Sequence, residues 1–529
     1  MSEELKNLSK EVTKGQMSRR DFLNRAAVLG LALPFASTFL SESVQAATPK
    51  KGGHLVAGLA GGSATDSLDP ALNTSKVPFN FVRTWGDTLV QISPTDSSAV
   101  PMLAESFESE PGAKTWIFNL RKGVEFHNGK EMVADDVVKT LQRHSGEDTK
   151  SGALGIMRGI ESVKADGKYR VIIELKSGNA DLPYLMTDYH LIIQPGGGYD
   201  DPNAGIGTGA YKVEVAEHGV RYAGTRFANH WNPEVGHADS VEILVLNDQT
   251  ARMSALRSGR VHLINLVDPK TAKLMERLPN IKIANTPGRG HYPFLMHCDK
   301  KPFDNADLRM AMKLCIDREE MVKRILNGYG TVGNDFPINA AYGLFPDEIE
   351  QRVYDPDKAA HYFKKSGHDG PLELKVSDVA FPGAVDAAVL YQQQAAKAGI
   401  KINVKREPSD GYWSNVWNKE PFSASYTGGR PTQDQQYSVF YKSDADWNDT
   451  KWYRPEFDQL LVQARVELDQ NKRKALYQDM AMMLRDDGGL IVPMFNDYID
   501  GHSSQVQGYV KDPIGELSNG FSLLRCWLA

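Results

Sequence analysis

The chain has 529 residues, 41% of them apolar and 24% charged, with a net charge of −6. This composition is ordinary for a globular protein, and roughly 150 residues per domain predicts about three domains. The negative charge argues against a nucleic-acid-binding protein, which would carry a basic patch.

The first 46 residues have the pattern of an export signal. Arg19 and Arg20 precede an apolar run from Ala26 to Leu40, and Val44-Gln45-Ala46 is typical of a cleavage site. The paired arginines resemble the twin-arginine signal. We therefore expect removal near Ala46 and delivery of the folded protein to the periplasm by the twin-arginine machinery. An amphipathic first helix of the mature fold would need a polar face, which this run lacks.

The region after the signal begins with a short apolar strand, Gly53–Leu59, that ends at Gly61, Gly62 and Ser63. A glycine break at the end of a buried strand permits close approach to a ligand, although a plain turn has the same pattern. Helical periodicity follows over Phe79–Trp85. The three cysteines, Cys298, Cys315 and Cys526, do not form a disulfide framework, and we expect buried apolar roles for them.

The next stretch has the most specific pattern in the chain. Trp116, Phe118 and Leu120 alternate as in a half-buried strand, and Ala134 begins a helix with acidic residues in its first turn. Between them the sequence reads LRKGVEFHNGK, followed by ADDV. This segment resembles the signature of family 5 extracellular solute-binding proteins, the peptide, nickel and opine class. Three later stretches resemble the same family: 206–211 (IGTGAY), 301–318 and 398–402 (AGIKI).

The resemblance implies an α/β, two-lobed periplasmic binding protein of class II-like type, with mixed sheets flanked by helices. It implies a first-lobe core of residues 47–88, 204–288 and 496–529, an extra domain of residues 89–203, and a second lobe of residues 289–495. The family's members bind a small solute between the lobes and deliver it to the membrane permease of an ABC importer. The implied protein is not an enzyme, has no cofactor or metal, does not bind nucleic acid and is a monomer.

In the second half, strand and helix patterns alternate, which predicts a mixed or parallel sheet. Gly288 and Gly290 suit a hinge, so Arg289, His291 and Tyr292 are expected near the cleft. A helix begins after Asp355 and stops at Gly367, and a strand covers Leu372–Val376. The next helix, Ala384–Lys397, is expected to expose Gln392, Gln393 and Gln394.

The loop within Ser425–Tyr441 contains Gly428, Gly429 and Arg430. Family members that bind dipeptides place an aspartate where this chain has Gly429, and an arginine where it has Asp378. Together the two differences suggest an exchange of charges between these positions. They predict that Arg430 binds a carboxylate, while Asp378 or Asp434 binds an amine or hydroxyl. A surface salt bridge for Arg430 and a capping role for Asp378 stay open as alternatives.

Four tryptophans lie near this loop, and we expect at least one of them to line the cleft: Trp413, Trp417, Trp447 and Trp452. Core packing is the alternative for each one. The function that we expect is a periplasmic component of an importer for a peptide-like or amino-acid-conjugate solute. A ligand carrier for a chemoreceptor, a peptide-binding chaperone and an exported hydrolase remain alternatives, although we find no nucleophile and base for a hydrolase.

Overall fold

A computed structural model describes residues 49–73, 75–146, 148–408, 412–445 and 447–529. The predicted export signal, residues 1–46, lies outside the described residues. The strands are β1 (His54–Leu59), β2 (Val90–Ile92), β3 (Ala99–Pro101), β4 (Ala104–Ser109), β5 (Thr115–Leu120), β6 (Ile160–Ala165), β7 (Arg170–Leu175), β8 (Tyr211–Glu217), β9 (Arg221–Arg226), β10 (Ser240–Val245), β11 (Leu263–Ile264), β12 (Ile281–Met296), β13 (Gly330–Val332), β14 (Leu372–Val376), β15 (Ile402–Arg406), β16 (Phe422–Ala424), β17 (Leu490–Ser503), β18 (Val506–Gln507) and β19 (Trp527–Leu528).

Helices cover the faces of these strands, together with short 3-10 turns. The α-helices are α1 (Lys76–Trp85), α2 (Ala134–Arg143), α3 (Leu154–Met157), α4 (Leu182–Leu185), α5 (Gln249–Arg257), α6 (Pro269–Met275), α7 (Ala306–Leu314), α8 (Arg318–Ile325), α9 (Pro356–Ser366), α10 (Ala384–Ala396), α11 (Tyr412–Asn415), α12 (Gln433–Phe440), α13 (Pro455–Val466), α14 (Gln470–Asp487) and α15 (Ser522–Arg525). One further turn, Glu516–Asn519, is left-handed and is described with the site.

The central sheet has the order β15-β14-β16-β12-β17-β11-β1-β10-β9-β8, with β13 added to β17. It mixes parallel pairs, such as β1 with β10, and antiparallel pairs, such as β12 with β17. The first lobe lies at the β8–β11 side and the second lobe at the β14–β16 side. The strands β12 and β17 are long enough to belong to both lobes, and their register shifts between Pro287 and His291. The predicted boundaries after residues 288 and 495 fall inside these two strands.

A separate four-stranded sheet, β4-β5-β7-β6, forms the extra domain. Each region has its own buried core, represented by Leu55, Phe81 and Ile243 in the first lobe, Leu103, Phe118 and Val137 in the extra domain, and Phe294, Leu374 and Tyr391 in the second lobe. The mixed α/β architecture that the sequence predicts is confirmed. The cysteines are free, with Cys315 and Cys526 buried and Cys298 partly buried.

Local sequence signals explain several element ends. The Asp355 carboxylate accepts from the Lys358 amide at 2.9 Å at the start of α9, and Gly367 adopts a φ of 70° after its end. The expectation that Gln394 is exposed is wrong. Its side chain is buried, accepts from the Asp317 amide at 2.9 Å and donates to Glu320 at 2.9 Å.

The signature segment of the extra domain has a structural role. The amide of His127 donates to the Gly207 carbonyl at 3.0 Å, and its ring nitrogen lies 2.9 Å from the Gly209 carbonyl oxygen. The Gly209 amide in turn donates to the Trp85 carbonyl at 3.0 Å, at the end of α1. The signature therefore joins the extra domain to the first lobe.

The extra domain also contacts the second lobe. Asp181 and Arg473 form an ion pair at 2.7 Å, and their side chains are 2% and 3% exposed. Beside them, the Ala180 amide donates to the Arg465 carbonyl at 2.7 Å. We call the Asp181–Arg473 pair the latch, because it connects a domain attached to the first lobe with α14 of the second lobe.

A cleft of two chambers between the lobes

Two neighbouring cavities lie between the lobes and share Tyr498 and Glu516. The loop chamber, about 350 Å³, is lined by first-lobe residues including Lys76, Arg83 and Asn519, and by Arg289 and residues 428–431 of the second lobe. The strand chamber, about 580 Å³, lies beside residues 496–499 of β17. It is also lined by residues 266–270 and 324–327, by Tyr292 and by one face of the segment 382–393, which contributes Pro382, Gly383, Asp386, Val389, Leu390 and Gln393. Volumes of this size suit small-molecule ligands.

The loop that carries Arg430 is held rigidly by its backbone. Thr427 exchanges two hydrogen bonds with His291, at 2.9 and 3.0 Å. Gly429 has a φ of 80°, and a Cβ there would lie 2.5 Å from the Cβ of Arg289, so only glycine fits. The buried Arg289 guanidinium donates to the carbonyls of Ala341 and Pro431 at 2.6 to 2.9 Å. Arg289 therefore positions the loop rather than binding an anion.

The Arg430 side chain is available for a ligand. Its guanidinium lies over the rings of Phe440, at 5.5 Å, and Trp447, at 5.9 Å. No carboxylate of the described residues forms an ion pair with it, and burial lowers the pKa of Arg430. A partly desolvated guanidinium without a counter-ion attracts an anionic group. The sequence prediction for Arg430 thus has a suitable geometry, together with Gly428 and Gly429 on the same chamber wall.

Three of the four tryptophans form an aromatic row behind Arg430. Trp413 lies 6.1 Å from Trp417, and Trp417 lies 5.8 Å from Trp447, with edge-to-face geometry. None of the three belongs to the lining of either chamber. They support the loop from behind, through the Arg430–Trp447 contact and through Trp413, which lies 5.6 Å from the Tyr426 ring. The prediction that Trp452 belongs to the ligand site is wrong. This residue is 1% exposed in the second-lobe core, and its indole donates to Asp487 at 2.9 Å.

The aromatic row rests on a buried carboxyl group, which leads to a pH prediction. The Trp417 indole donates to Asp449 at 3.1 Å, and burial raises the pKa of Asp449 to about 7. Because this pKa is above its unfolded value, the stability due to the protonated carboxyl group is present at low pH and lost as the pH rises to about 7. We expect tryptophan fluorescence to titrate with a midpoint near 7, and Asp449→Asn to abolish that component. Identical titrations of both proteins would contradict the assignment.

The two predicted acidic anchors do not reach the chambers. Asp378 is exposed, accepts from the Val385 amide at 3.1 Å at the start of α10 and lies 3.5 Å from Arg406. Asp378 therefore has the capping role that the sequence left open as its alternative. Asp434 is buried in an ion pair with Arg465 at 3.0 Å. Because these contacts occupy both carboxylates outside the chamber walls, we correct the prediction that either one binds the ligand.

Of the remaining predicted site residues, one lines a chamber and the others do not. Tyr292 lines the strand chamber and stacks on Phe381 with 4.5 Å between ring centroids. His291 is fully buried beside Phe495, outside both linings, and burial lowers its pKa to about 4. Gly61, Gly62 and Ser63 also lie outside the linings. Gly61 and Gly62 pack against the start of α1, where the Val77 amide donates to the Gly61 carbonyl at 3.0 Å, whereas Ser63 is exposed and its amide donates to Asp66 at 2.9 Å.

The lining residues that sequence reasoning missed include Arg83, Tyr498 and Glu516. Arg83 lies on α1, and Tyr498 lies on β17. Glu516 follows Gly515, and the glycines at 515 and 520 could have indicated an unusual turn. Among the described residues, no group of three or more His, Cys, Asp or Glu side chains could hold a metal ion. No helix in the described part of the chain has the length and apolar character of a membrane span.

Comparisons with known proteins agree with this architecture. Residues 98–449 match the family model described as bacterial extracellular solute-binding proteins, family 5 Middle. The dipeptide-binding protein of Escherichia coli is 23% identical, over 93% of this chain and 98% of that protein. HbpA2 from Haemophilus parasuis has a TM-score of 0.80 at 21% identity, over 90% of this chain and all of that chain (100%). AgaA from A. tumefaciens R10, solved with agropinic acid, has a TM-score of 0.71 at 21% identity, over 90% and 99% of the two chains.

Proposed function

Because the chain belongs to the bacterial extracellular solute-binding proteins of family 5, we propose that it is the substrate-binding component of an ABC importer. It captures a peptide-like or amino-acid-conjugate solute between its lobes and delivers that solute to the membrane permease. It acts in the periplasm as a monomer, after export by the twin-arginine pathway and cleavage near Ala46. Binding by lobe closure requires that the closed state make more contacts with the solute than the open state.

One observation carries the proposal for the solute. Arg430 lines the loop chamber on a loop held by backbone hydrogen bonds, and it has no carboxylate partner among the described residues. An anionic group of the solute supplies that partner. A charge-assisted hydrogen bond contributes about 1.5–3 kcal/mol, and micromolar affinity requires about 8 kcal/mol. Arg430 therefore acts with other anchors and with apolar burial rather than alone.

A native-retention experiment tests this function. The protein is purified without denaturation, and retained small molecules are identified and quantified by mass spectrometry. We expect the wild-type protein to retain a solute with an anionic group, and Arg430→Gln to retain at least tenfold less, since the lost contact is worth roughly 1.5–3 kcal/mol. Arg406→Gln is the matched control, because Arg406 lines neither chamber and its side chain is 73% exposed.

Two results would contradict the proposal. Equal retention by Arg430→Gln and the wild-type protein would remove Arg430 from the site. Recovery of an enzymatic product of an added substrate, rather than the intact solute, would favour the exported hydrolase. The geometry gives no separate support to a chemoreceptor ligand carrier or a chaperone.

A further inference from the structure

The two chambers have opposite charge. The loop chamber is lined by four basic side chains, Lys76, Arg83, Arg289 and Arg430, and by two acidic ones, Asp188 and Glu516. The strand chamber reverses this, with acidic Asp268, Asp386, Asp497 and Glu516 against basic Lys270 and Arg324. Charged walls around a low-dielectric cleft focus the local potential. A solute that extends through both chambers is therefore selected for a negative end in one and a positive end in the other.

Glu516 lies where the chambers meet. Its side chain is 10% exposed and pairs with Lys76, whose side chain is 46% exposed. Apart from Lys76, its hydrogen-bond partner is Asn265, whose amide nitrogen lies 3.4 Å away. Burial, together with the Glu516 carboxylate, raises the pKa of Tyr292 to about 12, which agrees with a carboxylate facing the strand chamber. Lys76 is long and half-exposed, so an incoming cation can replace it at Glu516.

The backbone that presents Glu516 is strained. Leu517, Ser518 and Asn519 have φ values of 51°, 59° and 55°, which form a left-handed turn of three consecutive non-glycine residues. Residues other than glycine rarely adopt this conformation, because it brings Cβ too close to the following carbonyl oxygen. Asp500 holds the turn by accepting from the Leu517 amide at 2.6 Å. Backbone strain of this kind persists where the surrounding contacts hold the chain in place, and it is concentrated at functional sites.

The loop chamber is lined by a second buried guanidinium group, Arg83, which lies over the Phe521 ring at 4.8 Å, close to the turn that carries Glu516. Arg83 is 4% exposed and lines the loop chamber, and its Nε is buried without a hydrogen-bond partner. Its Nη2 donates to the Thr187 carbonyl at 3.1 Å. An anion in the loop chamber thus meets guanidinium groups from both lobes, Arg83 from the first and Arg430 from the second.

We propose that Glu516 binds the cationic group of a zwitterionic solute whose anionic group lies at Arg430. The solute is elongated, with an ammonium or guanidinium group at the junction of the chambers, and its cation displaces Lys76 from Glu516. This assignment rests on the proposed function, because it identifies the charge pattern of the transported molecule. It also replaces Asp378 and Asp434 as the acidic anchor.

A charge-blocking experiment tests the assignment. Ligand-free protein, obtained by unfolding and refolding, is mixed with peptides of a casein hydrolysate in untreated, N-acetylated and carboxyl-amidated forms. Bound peptides are measured by mass spectrometry and by the shift in Tm. We expect the wild-type protein to bind the untreated peptides at least tenfold more tightly than either blocked form. Glu516→Gln should lose the preference for untreated over acetylated peptides, whereas the control Glu174→Gln, on the extra domain, should keep it.

The outcomes separate this inference from the proposed function. If no form binds to the wild-type protein, the peptide-like solute is wrong and the Glu516 assignment is overturned with it. If untreated and acetylated peptides bind equally to the wild-type protein, Glu516 is not the cation anchor, although the transport function stands. Lys76→Met provides a second test should Glu516→Gln fail to fold. Removal of the competing ammonium group should strengthen the preference for free amines, and an unchanged preference would overturn the assignment.

Discussion

Replacing Asp335 with asparagine is expected to lower the free energy of unfolding by about 3–5 kcal/mol, which is the usual cost of removing one partner of a buried ion pair. Asp335 is completely buried and lies 2.6 Å from Arg318 and 2.9 Å from Arg352. Although burial opposes ionisation, the two guanidinium groups hold the pKa of Asp335 below its ordinary value. The substitution would leave Arg318 without its carboxylate partner and Arg352 with only the exposed Asp486, 2.9 Å away. Urea unfolding followed by circular dichroism measures the change.

Asparagine is chosen because Asp335 has a φ of 60°, which asparagine tolerates better than other residues. The substitution therefore removes the charge without adding backbone strain. Asp347→Asn is the control, since Asp347 is an exposed partner of Lys474 and its loss should leave the unfolding midpoint unchanged. Equal midpoints for the wild-type protein and Asp335→Asn would show that the buried cluster does not stabilise the second lobe.

Replacing Arg473 with methionine is expected to shift the protein toward an open form by breaking the latch. With the lobes together, the variant leaves Asp181 buried without its cation, which costs about 3–5 kcal/mol. In an open form, water would hydrate Asp181, and this cost would disappear. Solute affinity should fall by about 100-fold or more, because it depends on the population of the closed form. Small-angle X-ray scattering without ligand should give a larger radius of gyration.

The neighbouring variant Lys474→Met is the control for the latch. Lys474 lies on the same helix, but its partner Asp347 is exposed, so its loss should change neither the radius of gyration nor the affinity. If Arg473→Met had the dimensions and affinity of the wild-type protein, the extra domain would not contribute to closure. Reduced affinity at unchanged dimensions would likewise contradict the latch.

The sequence predicted those features whose physical cause is local. The strand at Leu372–Val376 and the helix between Asp355 and Gly367 follow from periodicity and capping, and the structure confirms both. The Gly428-Gly429-Arg430 turn was singled out because two glycines and a guanidinium group suit a close approach to an anion. The loop chamber provides that setting, and Gly429 has the positive φ that glycine permits.

Three of the errors have a common cause, which is a partner distant in sequence. Asp434 was available for a ligand on sequence grounds, but Arg465 occupies it in a buried ion pair. Trp452 and Gln394 were expected near the cleft or at the surface, yet both are buried by contacts with other elements. Composition and spacing do not specify such contacts, because they depend on which elements pack together.

The sequence by itself determined the family, the α/β class and one wall of the proposed site, since each depends on residues close together in the chain. Only the tertiary structure decided the other wall. The strands β12 and β17 run through both lobes and bring the C-terminal turn that carries Glu516 to the same cleft as the Arg430 loop. The opposite charges of the two chambers arise from that packing, because their residues come from distant segments that meet only in the folded protein.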